Sequence, residues 1–164
     1  MKPALLVIDI QNIWLRSSPG LRESLEKRVD VINSAIALFR KKGLPIIRVY
    51  HVDREDGPRP GTEEFEFLPS IEISDVDTKV IKNYPNAFNK TGLTQILSEN
   101  GIDVVILCGL SATACVMATY VGAEDHDLHP FLLRDGVAAS SEQNVRFAEE
   151  IFETLSLGAL AQVL

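Results

Sequence analysis

The chain has 164 residues, 46% hydrophobic and 24% charged, enough apolar material for one well-packed core and too much for a disordered chain. Sixteen Lys and Arg against 23 Asp and Glu leave a formal net charge of −7, which argues against nucleic acid or an anionic membrane as the main partner, since both need a basic face. No apolar run approaches a membrane span, no secretion signal is expected, and two cysteines without disulfide or zinc-ribbon spacing make a reducing cytoplasm the expected setting.

Ala4 to Ile8 is a continuous apolar run, the pattern of a strand buried on both faces, and Asp9 follows it. Leu25, Val29, Ile32, Ile36 and Phe39 recur at helical spacing, and Gly43 and Pro45 close that helix. Ile46 to Tyr50 predicts a second strand. Residues 53–69, with Gly57, Pro58, Pro60 and Gly61, read as one long loop of the kind that forms lids or binding loops. Thr78 to Ile81 predicts a third strand with Lys82 behind it, and Thr91 is placed to cap a helix through Leu97 that stops at Asn100-Gly101. Val104 to Leu107 predicts a fourth strand ending at Cys108, which reads as core, and a helix follows from about Thr113 to Ala123. Phe131 to Leu133 predicts a fifth strand. Asn144 to Leu155 predicts a helix, and the closing segment Ala159 to Leu164 a sixth strand.

Strands that alternate with helices, nearly all of them apolar throughout, indicate an α/β domain over residues 1–164. Its mostly parallel sheet is covered by helices on both faces. In such sheets the ligand crevice lies beyond the carboxyl ends of the strands, where strand order reverses. The residues at those ends are Asp9, the segment from Tyr50 to Asp53, Lys82, Gly109 to Cys115, and Asp135. Cys115 follows the small-residue turn Gly109-Leu110-Ser111-Ala112-Thr113-Ala114 at a helix start. The dipole and free N–H groups there favour a thiolate, so Cys115 is a candidate nucleophile; an inert buried cysteine is the plainer alternative. Asp9 could equally be a turn former and Lys82 a solvated strand end. Lys79 and Lys82 are an odd step apart and point to opposite faces of a strand.

Three blocks of the sequence resemble one family. Leu6-Val7-Ile8-Asp9-Ile10-Gln11-Asn12 is similar to the opening signature of the isochorismatase-like cysteine hydrolases, a group with nicotinamidases, N-carbamoylsarcosine amidases and ureidoacrylate amidohydrolases. Val80-Ile81-Lys82-Asn83-Tyr84-Pro85-Asn86-Ala87-Phe88, with Thr91 and Leu93, resembles the second block, and Gly109-Leu110 with Cys115-Val116 the nucleophile block. Asp135 and Ala138-Ala139-Ser140 fit a last turn, so the likeness runs in order from Ala4 to about Val163.

The resemblance implies a three-layer αβα fold whose six strands take the Rossmann-like order 3-2-1-4-5-6. It implies an Asp-Lys-Cys triad, carried onto Asp9, Lys82 and Cys115. It further implies a cis peptide between Leu110 and Ser111, and an oxyanion hole from the backbone N–H groups of Ser111 and Cys115. The residue types suit acyl transfer: Asp9 as general base, Lys82 offsetting the charge of carboxylate and thiolate, and paired N–H donors for a tetrahedral oxyanion. The implied reaction is metal-independent hydrolysis of a C–N bond in a small amide or ureido or carbamoyl compound, through a thioester on Cys115. No cofactor is expected, and a homodimer or homotetramer is.

The chain also departs from the family. Ala112 stands where members often carry Thr, which leaves that hydrogen bond missing or supplied by Ser111 or Thr113. Metal-dependent nicotinamidases present Asp-x-His after the second strand, whereas His51-Val52-Asp53-Arg54-Glu55-Asp56 has no histidine two residues after Asp53. His51 alone is not a metal site, since three protein ligands are normally needed, so no zinc is expected and nicotinamide is disfavoured. Gln11, Trp14, Tyr84 and Phe88 are candidates to line the substrate pocket, with core packing as the alternative. Arg54 and Arg59 could clamp a substrate carboxylate, although solvated loop charges are the preferred reading. Two other functions compete: enol-ether hydrolysis with Cys115 as a bystander, and a non-catalytic or redox-sensing protein, for which Cys108 is a poor resolving partner.

Overall fold

A computed structural model describes residues 1–53, 55 and 57–164. Six strands, β1 (Pro3–Ile8), β2 (Ile46–His51), β3 (Thr78–Lys82), β4 (Val104–Leu110), β5 (His129–Ala138) and β6 (Thr154–Leu155), pair in one all-parallel sheet of order β3-β2-β1-β4-β5-β6. Among the described residues seven helices accompany them: α1 (Asn12–Ser17), α2 (Pro19–Glu26), α3 (Val29–Lys41), α4 (Leu93–Glu99), α5 (Cys115–Glu124), α6 (Glu142–Ile151) and α7 (Leu157–Val163). The expected α/β architecture and strand order are those observed. Among the described residues no helix is long and apolar enough to cross a membrane.

The two-residue period of a strand explains the layering. In β1, Ala4, Leu6 and Ile8 enter a core with Leu93 and Leu97 of α4, Val116 and Tyr120 of α5, and Val145 and Ala148 of α6. Leu5 and Val7 enter a second core with Leu15 of α1, Leu25 of α2, Ile32 and Ile36 of α3, and Leu160 of α7. Every β1 side chain is buried, each Leu or Ile contributing roughly 1.5–3 kcal/mol. Beside it, Gly109 of β4 pairs with Ile8 and has φ 111; a Cβ there would strike the Ile8 backbone. Only glycine lets β4 lie this close to β1.

The element boundaries differ from the sequence expectation in instructive places. The single helix read from Leu25 is two helices, with Leu25 on α2 and the break at Lys27 and Arg28. Arg28 is buried there, donating to Ser24 O at 2.6 Å and forming an ion pair with Glu142 at 2.8 Å. The short helices α1 and α2 escaped a periodicity search, although Ser18 accepting the Leu21 N–H and Pro19 in the first turn are standard start signals. α4 begins at Leu93, with Thr91 Oγ1 accepting the Leu93 N–H, and α5 begins at Cys115 itself. β5 continues past Leu133 to Ala138 through Asp135 at φ 59. The C-terminal assignments exchange places. Phe152 is extended and ends α6, Thr154 and Leu155 are β6, and Ala159 to Leu164 is not a strand but lies mostly in α7. Ser156 caps that helix by accepting the Ala159 N–H, and its Ala, Leu and Gln residues favour helix once only Leu160 has to be buried.

Candidate active site

Four strand ends converge beside the point where strand order reverses. Asp9, directly after β1, takes φ 53, a left-handed backbone that Asp tolerates better than most residues. Its carboxylate is 2% exposed. β3 brings in Lys82, whose Nζ lies 2.7 Å from Asp9 Oδ2. Lys79, an odd step away, sits on the other face with its ammonium 4.7 Å from the Tyr50 ring centre. β2 ends in His51, whose Nδ1 is 3.0 Å from the same Lys82 Nζ. An ammonium can only donate, so Nδ1 accepts and the neutral ring carries its proton on Nε2. Gln11 holds His51 from behind: its Nε2 donates to His51 O at 2.9 Å and its Oε1 accepts the His51 N–H at 2.8 Å.

Cys115, the first residue of α5, completes the cluster. One carboxylate oxygen of Asp9, a ring nitrogen of His51 and Cys115 Sγ lie within 4.8 Å of one another. Asp9 Oδ1 is buried with no hydrogen-bond partner among the described residues. It is therefore an open acceptor on a carboxylate that also neighbours a thiol. Three donor atoms of this kind could hold a metal ion; here the Lys82 ammonium is already bound to two of these residues, Asp9 and His51.

Burial sets the protonation states. It raises Asp9 above the ordinary carboxylate range, although Lys82 opposes the shift. His51 is lowered to about 4 by burial and then by Lys82. Cys115 is pushed up to about 12, first by burial and then by the Asp9 charge. Both shifts on Cys115 oppose the thiolate that a helix N-terminus favours by at most about 2 kcal/mol.

The turn between β4 and α5 has a cis Leu110–Ser111 peptide. Ala112 N–H donates to Ala138 O at 2.8 Å, and the N–H groups of Ala114 and Val116 both donate to Ser111 O. The N–H groups of Ser111 and Cys115 find no backbone acceptor among the described residues.

A cavity of about 310 Å³ opens over this cluster. Asp9, His51, Ser111 and Cys115 form its polar side, Leu110 and Ala114 border it, and α1 and α2 supply Trp14, Ser17, Ser18 and Leu21 opposite. Of the residues expected to line a pocket, Trp14 does so, its ring edge-on to His51 at 5.9 Å. Gln11 does not: it is fully buried and spends its amide on the His51 backbone. Tyr84 lines a separate cleft with Asp53 and Lys90. Phe88 is in the core, stacked on His126 at 4.8 Å. Asp135 is exposed and its N–H donates to Glu149, away from the cavity. Arg54 lies outside the described residues, and exposed Arg59 does not reach the cavity. Of the α1 and α2 wall the sequence points to Trp14 but not to Ser17, Ser18 or Leu21, although the Ser18-Pro19 start signal marks that turn. His51 falls in the strand-end segment Tyr50 to Asp53, with nothing in the sequence to show its contact with Lys82.

The isochorismatase domain family model matches residues 3–159. The chain is 30% identical over 146 residues to the isochorismatase family protein YddQ of Bacillus subtilis, covering 87% of this chain and 81% of that protein. An isochorismatase-like hydrolase from Alkaliphilus metalliredigens superimposes with a TM-score of 0.89 at 24% identity over 99% of both chains. N-carbamoylsarcosine amidase from Thermoplasma acidophilum does so with a TM-score of 0.81 at 28% identity over 95% of both.

Proposed function

The chain belongs to the isochorismatase domain family, and we propose that it is a cysteine amidohydrolase that cleaves a C–N bond in a small amide or ureido compound. The observation that carries this reading is the Asp9 carboxylate: Lys82 holds its Oδ2, its Oδ1 has no partner among the described residues, and one of its oxygens lies within 4.8 Å of the Cys115 sulfur. The likeness to an N-carbamoylsarcosine amidase supports it.

In the proposed sequence, Cys115 Sγ attacks the substrate carbonyl while its proton passes to Asp9. A raised carboxylate is a better base for a reluctant thiol than an ordinary one, and the Lys82 ammonium opposes that rise. The free N–H groups of Ser111 and Cys115 are the donors available to the oxyanion. As the tetrahedral intermediate collapses, the C–N bond breaks and Asp9 returns its proton to the departing nitrogen. Water then gives a proton to Asp9 and attacks the thioester. The acid leaves, and the proton returns to the Cys115 sulfur.

Enol-ether hydrolysis would leave Cys115 idle. A disulfide sensor lacks a partner thiol, because Cys108 sits in the opposite core with its Sγ directed at Leu6 O. One experiment separates these readings: mix the protein with a panel of small amides and ureas, then measure ammonia release and intact mass. Wild type should release ammonia and carry an acyl adduct, and Cys115→Ala should do neither while melting as wild type does. Ammonia release by Cys115→Ala at the wild-type rate would sink the proposal.

A further inference from the structure

Resting on the amidohydrolase reading of this site, we infer that the cavity selects small amides with an uncharged, apolar acyl group and rejects those carrying a carboxylate. The argument begins with size. About 310 Å³ is at the low end for a ligand pocket, so a group two or three carbons from the scissile carbonyl stays inside. What such a group meets there is largely carbon, from Trp14, Leu21, Leu110 and Ala114.

The polar atoms on that wall are engaged elsewhere. Trp14 Nε1 donates to Gln11 Oε1 at 3.4 Å. Ser17 Oγ donates to Ile13 O and Trp14 O at 3.1 Å each, and Ser18 Oγ accepts the Leu21 N–H. No described residue bordering the cavity is Arg or Lys. Arg16 on α1 pairs with Glu63 at 2.6 Å, and Arg22 on α2 donates Nε to Leu15 O.

The charge balance of the polar side points the same way. Among the described residues the cation on that side is Lys82, whose side chain has 0% exposure and is bound to Asp9. His51 is neutral, with Nδ1 already accepting from Lys82. A substrate carboxylate would lose its hydration without gaining a counter-ion and would face the Asp9 carboxylate. Exclusion of the wrong ligand by an unpaired charge is an effective source of specificity. On this ground the chain parts from its N-carbamoylsarcosine amidase relative, whose named substrate is an acid.

Butyramide and succinamate test the inference, since they differ mainly in a methyl against a carboxylate. Wild type should hydrolyse butyramide with a kcat/KM about tenfold or more above that for succinamate. Ser17→Arg, which sets a guanidinium at the exposed rim, should close most of that gap. Binding of both compounds to Cys115→Ala, followed by NMR titration, reads selectivity without turnover. Equal binding, binding of neither, or a gap that Ser17→Arg leaves unchanged overturns the inference. Selective binding of butyramide with no turnover of either compound overturns the amidohydrolase reading and leaves the selectivity standing.

Discussion

In the proposed mechanism Asp9 is the base and Cys115 the nucleophile; both hold their protons more readily than their types usually do, and the pH dependence follows from that. A carboxyl group accepts the thiol proton only when ionised. Activity should therefore be lost as pH falls through the raised Asp9 pKa, at a pH above that of an ordinary aspartate. At the alkaline side a free thiol would add a second rise near 8.5. With Cys115 pushed up to about 12, kcat/KM for a neutral amide should show no second rise near 8.5. Asp9→Asn should lower kcat by about 10²–10⁴-fold. An inflection near 8.5, with Asp9→Asn still active, would mean that a preformed thiolate attacks instead.

At the scale of elements, the site depends on how closely β4 approaches β1. Gly109→Ala adds a methyl group that meets the Ile8 backbone at a positive φ, so neither the neighbour nor the chain itself relaxes easily. The expected loss is about 3 kcal/mol or more, read by chemical denaturation. Activity should fall further than stability explains, because Asp9 follows Ile8 directly. A Gly109→Ala protein with wild-type stability would show that β4 can step away. The same geometry explains what was legible in the sequence. Asp9 directly follows the apolar run of β1 and Lys82 closes β3, so strand ends alone bring these two to one edge of the sheet, while Cys115 stands beyond the end of β4 where α5 begins. His51 also ends a strand, yet its role is fixed by Lys82, 31 residues away, and by Gln11, 40 residues away. No local pattern encodes such contacts. α1 and α2 were hidden because helices of six and eight residues bury only a few side chains each. At the C-terminus an apolar run fitted strand and helix alike, and the Ser156 cap decided it.

At the scale of the whole molecule, the net charge of −7 adds a second, longer-ranged discrimination against acids. The two sources separate by salt. The field of the whole protein is screened as the Debye length shrinks from about 30 Å at 0.01 M to about 8 Å at 0.15 M ionic strength. The missing counter-ion inside the cavity is a short-range effect that salt barely reaches, because the site lies between α1, α2 and the sheet edge. Butyramide hydrolysis should therefore be indifferent to salt over this range. Succinamate hydrolysis should rise by about two- to threefold as the general repulsion is screened, and the preference for the neutral amide should survive. If 0.15 M salt abolishes the preference, the selectivity belongs to the surface charge of the protein and not to the wall made by Trp14 and Leu21. In that case, substitutions in that wall would leave the choice between amide and acid unchanged.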